Sequence, residues 1–181
     1  MKYTVVDGHC DTPMELWLRQ ENLRSNTCQV SLERAKKLSG YVQFYAFCTV
    51  WLEQDGSFEA HYAAALEHFN RQLDENKDQI VRCKNEADAR AAIGSGKYGA
   101  FLSIEGAEAI SCDPGKLELA CAQGVRMIAP AWNAQNALTG SCMTGGGLTA
   151  QGKEFVRRAQ KLGMILDVSH ISEKAFWDLC D

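Results

Sequence analysis

The sequence predicts an α/β fold in which helices pack outside a parallel sheet. Three observations predict it. Apolar runs of strand length alternate with helix-length segments along the chain. Those runs are apolar throughout, as strands covered on both faces are. The helical segments between them are amphipathic. Length and composition agree. The chain has 181 residues, 46% of them hydrophobic and 23% charged, which suits a single domain able to bury a sizeable core. The formal charge of −4 is spread over interspersed acids and bases, so no nucleic-acid footprint stands out. No stretch approaches the length of a membrane span. The chain runs into its first strand with no basic and apolar leader. The 8 cysteines form no C-x-x-C pair, which removes the zinc-ribbon and thioredoxin-like readings. They are expected to be reduced thiols of a cytoplasmic protein, with Cys48 and Cys121 as small core residues.

Tyr3 to Val6 reads as a buried strand that Asp7-Gly8 ends. Pro13 to Leu23 reads as a short helix, and Arg24 to Gln29 as a loop. Ser31 to Leu38 reads as a helical turn or two, with Ser31 as N-cap and Arg34 in place of the capping-box acid. Gly40 to Leu52, dense in aromatic and β-branched residues, is the second strand. A turn at Gln54-Asp55-Gly56-Ser57 leads into a helix over Phe58 to Asn76. Tyr62, Leu66, Phe69 and Leu73 make its apolar stripe, and His61 and His68 read as helix-surface histidines. Ile80 to Cys83 is strand-like, and Glu86 to Ile93 is a helix closed by Gly94. Strands follow at Tyr98 to Ile104, Val125 to Ala131 and Met164 to Val168. Helices follow at Pro114 to Gln123, Thr149 to Leu162 and Ser172 to Cys180. Asn136 to Gly147 is a loop. Gly145-Gly146-Gly147 has no Lys-Ser/Thr after it, so it reads as flexible loop and not as a phosphate cradle.

Polar residues of one chemical kind recur where strands end. His9 and Asp11 follow the first strand two residues apart, so continued extended backbone would aim both to one side. Glu105 follows the strand from Tyr98, Trp132 and Asn133 the next, and His170 the last. Strand carboxyl ends carry the chemistry of parallel α/β folds. Taken singly, Glu105 also fits a helix-entry carboxylate and His170 a satisfied core-edge histidine. Taken together, imidazoles and carboxylates suit a borderline ion such as zinc. A carboxylate set between two such sites can bridge two metals, and such a pair hydrolyses a carbonyl compound without a protein nucleophile. No G-x-S-x-G elbow or P-loop competes.

These segments resemble a known family. Asp7-Gly8-His9-Cys10-Asp11, Ser103-Ile104-Glu105-Gly106, Gly124-Val125-Arg126, Trp132-Asn133-x-x-Asn136 and Gly147-Leu148-Thr149-x-x-Gly152-Lys153 carry the likeness. So does the run from Leu162 to Ser172, with Asp167-Val168-Ser169-His170 at its centre. Together they resemble the renal (membrane) dipeptidases, the M19 zinc peptidases of the amidohydrolase superfamily. The resemblance implies a (β/α)8 TIM-barrel-type metal-dependent hydrolase holding two Zn(2+) ions per complete site. It implies hydrolysis of dipeptides by a metal-bound hydroxide. His9 and Asp11 would bind one zinc, Glu105 would bridge both as the catalytic carboxylate, and His170 would bind the second. Trp132, Asn133 and Asn136 would contact substrate. Trp132-Asn133 stands where mammalian members place a substrate-contacting histidine, which leaves the oxyanion-stabilising role unassigned.

The family's later motifs are absent, and about five β/α units are visible where the fold has eight. The expectation is therefore a single partial barrel domain, an amino-terminal portion with open sheet edges that favour self-association. Weak or partial metal occupancy and poor peptidase activity are expected of the chain alone. Two other readings share these residues: a non-catalytic binding or scaffold protein, and another amidohydrolase such as an N-acyl amino acid deacylase. No nucleic-acid or membrane partner is expected.

Overall fold

The computed structural model describes residues 3–52 and 57–181. Strands and helices alternate as the sequence predicts. The strand order is β1-β2-β4-β5-β6, with β3 pairing β4 beside that path. The registered pairs β1/β2, β3/β4 and β5/β6 are all parallel. By its internal contacts the chain divides into two compact units, Met1–Phe47 with Ala63–Leu102, and Cys48–Tyr62 with Ser103–Asp181.

The first unit begins with β1 (Thr4–Cys10) and α1 (Thr12–Arg19). The strand does not stop at Asp7-Gly8; it runs through His9 to Cys10, with an irregular register against β2 between Asp7 and Cys10. Nor is it buried. Val6 is 65% exposed, because β1 ends the strand order and, among the described strands, has β2 alone as a neighbour. Helix α1 stops four residues before Leu23. Gln20 takes a left-handed conformation and returns its backbone N–H to Leu16 O, a common helix ending. Helix α2 (Leu32–Ala35) is capped as expected, with Ser31 accepting from the Arg34 N–H.

Strand β2 (Gly40–Cys48) is buried along almost all its length. Helix α3 (Phe58–Glu75) buries the predicted stripe, Tyr62, Leu66, Phe69 and Leu73. Phe69 packs against Tyr45 and Phe47 of β2, with ring centroids 4.8 and 6.1 Å apart. Phe44 stacks on Phe101 at 4.8 Å. His68 departs from the surface reading: it is buried, with Nε2 3.3 Å from Glu21 O. A polar partner from the loop after α1 lets an imidazole sit there. Strand β3 (Ile80–Arg82) and helix α4 (Glu86–Gly94) follow. The left-handed residue closing α4 is Gly96 (φ +75°), not Gly94.

Strand β4 (Tyr98–Glu105) passes from the first unit into the second. Within the second unit lie α5 (Leu117–Ala122), β5 (Val125–Ala129), α6 (Ala150–Lys161), β6 (Ile165–Leu166) and α7 (Glu173–Cys180). Short 3-10 turns occupy Val50–Leu52, Ala107–Ile110 and Pro114–Lys116, so the helix read from Pro114 begins as a tighter turn. Strand β5 ends before Ala131 because Pro130 offers no N–H to a ladder. Strand β6 ends at Leu166 because Asp167 Oδ1 accepts from the N–H and the hydroxyl of Ser169 and turns the chain. Phe155, Leu117, Ile128 and Leu138 are fully buried here. Cys48 is buried as expected; Cys121 is only half-buried, with Sγ 3.4 Å from an Arg126 amine. Gln54 to Gly56, read as part of a turn, lie outside the described residues.

Gly140 to Gly147 is a loop, but a pinned one. The Ser141 N–H bonds Thr144 Oγ1 at 2.9 Å, and the Gly145 N–H bonds Ser141 O at 2.9 Å. A Cβ on Gly140 would lie 1.5 Å from Gly145 O, and one on Gly147 2.0 Å from Asp178 Oδ2. These glycines permit close backbone approach rather than mobility.

Candidate metal centre

In the first unit the end of β1 supplies His9 and the start of α1 supplies Asp11. Extension through His9 keeps the two side chains on one side, and His9 Nε2 lies 3.5 Å from Asp11 Oδ1. The Asp7 carboxylate accepts the His9 N–H at 3.2 Å. Asp11 sits at the N-cap of α1 yet makes no side-chain cap bond. An aspartate there usually caps its helix, for about 1 kcal/mol. Here backbone torsions of −83° and 7° turn the carboxylate away from that duty. The pair is half-exposed, open to an incoming ion.

In the second unit the end of β4 supplies Glu105, and the turn after β6 supplies His170. Gly106 follows Glu105 with φ +91°, and a Cβ there would meet Glu108 Oε2 at 3.0 Å. Only glycine fits such a conformation comfortably, so the strand end that aims Glu105 depends on it. Glu105 is buried, and its Oε1 lies 2.8 Å from His170 Nε2. His170 Nδ1 lies 3.2 Å from Asn133 Oδ1 and donates to it. The Trp132 ring is tilted against the imidazole with centroids 6.3 Å apart.

That geometry tests whether the donors fit a metal. An imidazole whose Nδ1–H is committed to an amide oxygen presents the Nε2 lone pair on its other side. A lone pair facing a carboxylate is favourable only with a proton or a cation between them. Carboxylate, imidazole and a fixed tautomer are what a zinc ligand pair provides, so these residues fit the group.

Asn136 is engaged within its loop. Its amide donates to Glu108 Oε1 and Pro130 O, and its Oδ1 accepts the N–H groups of Leu138 and Thr139. Two features were missed at the sequence level. Glu108 lies on the 3-10 turn behind Glu105. Burial pushes its carboxyl above the ordinary range, and its Oε2 is buried without a hydrogen-bond partner. Ser141, fully buried, donates to the Asn133 carbonyl at 2.6 Å. The three-residue step from Glu105 to Glu108 was the available signal for the first. Nothing local marked the second.

The chain belongs to the membrane dipeptidase family, peptidase family M19, whose model matches residues 1–181. It is 35% identical over 118 residues to an uncharacterized protein in the PQQ-III 3' region of Acinetobacter calcoaceticus, covering 61% of this chain and 38% of that protein. It is 28% identical over 139 residues to the dipeptidase tcpJ of Claviceps purpurea, covering 71% of this chain and 33% of that one. Among solved structures, the dipeptidase AC, a metallo peptidase of family M19, matches with a TM-score of 0.83 and 25% identity over 99% of this chain and 60% of its own. The chain thus spans about a third to three-fifths of these relatives' lengths. Its fold is α/β, a parallel sheet with helices matching part of the TIM-barrel-type fold of that dipeptidase. It is a hydrolase-family chain, and no described helix is long and apolar enough to cross a membrane.

Proposed function

We propose that this chain carries the metal-binding residues of a zinc-dependent dipeptidase. Family membership supports the reaction class. The observation that carries the site is Glu105 Oε1 set 2.8 Å from His170 Nε2, with the far ring nitrogen of His170 committed to Asn133. His9 and Asp11 would serve one zinc, and Glu105 and His170 another. Bound zinc supplies Lewis acidity, lowering the pKa of a water molecule and polarising a scissile carbonyl.

The chain's own residues do the rest. Glu105 presents a buried carboxylate to His170. Asp11 leaves its helix cap open and so stays available as a ligand. The Trp132 ring stands tilted beside the His170 imidazole. Trp132 and Asn133 stand at the end of β5 where a dipeptide would lie, and Asn136 holds the loop that follows. Fold alone does not choose between a dipeptide and another amide; the dipeptide reading draws on the family.

The test is equilibrium dialysis of chelator-stripped chain against zinc, followed by hydrolysis of dipeptides and of N-acyl amino acids. Zinc uptake is expected, with affinity reduced at least about tenfold in Glu105→Gln, and any turnover should favour dipeptides and vanish with chelator. A folded chain that takes up no zinc, or whose uptake ignores Glu105→Gln, would overturn the site. Turnover of acyl amino acids alone would overturn the substrate.

A further inference from the structure

We propose that Asn133 is a positioning residue for His170, and that the Gly140–Gly147 loop sets the pair in register. The proposal rests on the metal reading above and adds to it a role for a residue first read as a substrate contact. An imidazole can present either nitrogen, and a half-turn of the ring exchanges them. Asn133 Oδ1 removes that freedom, because it accepts from His170 Nδ1 at 3.2 Å and leaves Nε2 toward Glu105 Oε1 at 2.8 Å. Partners of this kind on a ligand's far nitrogen fix tautomer and ring orientation.

One loop grips both residues through backbone. Ser141 Oγ donates to the Asn133 carbonyl at 2.6 Å. The next residue, Cys142, donates its N–H to the His170 carbonyl at 2.8 Å. Ser141 forms an isolated antiparallel bridge with Ile171, and the Ser172 N–H reaches Gly140 O at 3.2 Å. Asn133 and His170 are 37 residues apart in sequence, yet two adjacent loop residues hold their carbonyls. The close glycine contacts fix the loop's own shape. Because Ser141 binds the Asn133 backbone, changing the Asn133 side chain leaves that grip in place. The variant therefore reports on the imidazole contact and not on the loop.

The experiment uses the 181-residue chain stripped of metal and titrated with cobalt(II) alone, in wild type, Asn133→Ala, Asn133→Asp and His170→Ala. Long-range 1H–15N NMR of the zinc-loaded proteins follows the His170 Nδ1–H. Asn133→Ala is expected to weaken the cobalt step that depends on His170 by about 10- to 100-fold and to lose the protected Nδ1–H signal. Asn133→Asp, which keeps an acceptor, should restore both. If His170→Ala binds cobalt as wild type does, the metal reading fails at His170. If His170→Ala weakens binding while Asn133→Ala leaves both affinity and proton signal unchanged, the positioning role is overturned and the metal reading stands.

Discussion

Cys112 and Cys142 carry the same thiol in opposite surroundings. Burial pushes Cys112 from an ordinary 9.0 up to about 12, whereas Cys142 is exposed. Alkylation needs thiolate. At pH 8 a thiol of pKa about 12 is ionised in only about one molecule in ten thousand. Iodoacetamide at that pH should therefore label Cys142 and spare Cys112 in the folded chain, read by peptide mass spectrometry. The same shift has a sign for stability. The unfolded thiol loses its proton near 9 and the folded one near 12, so Cys112 draws stability down as pH rises between those values. The candidate ligands were legible because each sits at a strand end, a place that periodicity marks. The aim of Asp11 was legible only conditionally, since it required β1 to stay extended through His9. Glu108 and Ser141 were not legible. Their importance comes from burial and from partners distant in sequence, which no local pattern encodes.

The loop between β5 and α6 behaves as an element in its own right. Gly140→Ala would drive a Cβ to 1.5 Å from Gly145 O, and backbone on backbone has little room to give. A loss of at least about 2 kcal/mol is expected from such overpacking, measured by urea unfolding, and cobalt affinity at His170 should fall with it. Wild-type behaviour in both would refute the account of these glycines. Sequence reading placed this loop correctly and misjudged its character, because glycine serves equally for freedom and for close approach. Caps by Ser31 and Ser172 were readable from residue type, while Thr149, read as the first residue of its helix, caps it instead; each accepts the N–H three residues on. The ends of α1, β5 and β6 were not, since Gln20, Pro130 and Asp167 stopped them earlier than the apolar pattern did.

Across the whole chain, alternation of strand and helix made the parallel α/β architecture readable, while burial of the outermost strands was not. Strand order decides burial, and order is a tertiary property. Edge strand β1 exposes Val6, Tyr3 just before it is exposed too, and β6 at the other end of the order exposes Ile165. Exposed apolar edges invite pairing, so association that grows with concentration is expected in sedimentation velocity. Val6→Lys should reduce it, as charge on an edge strand does; an unchanged profile would place the contact elsewhere. The uncapped start of α1 bears on the molecule's response to metal. A negative group at the positive end of a helix dipole is worth about 0.3–1 kcal/mol, and a cation bound to Asp11 cancels part of that attraction. Loading the centre should therefore loosen the first turn of α1, a cost that the ion's measured affinity already contains.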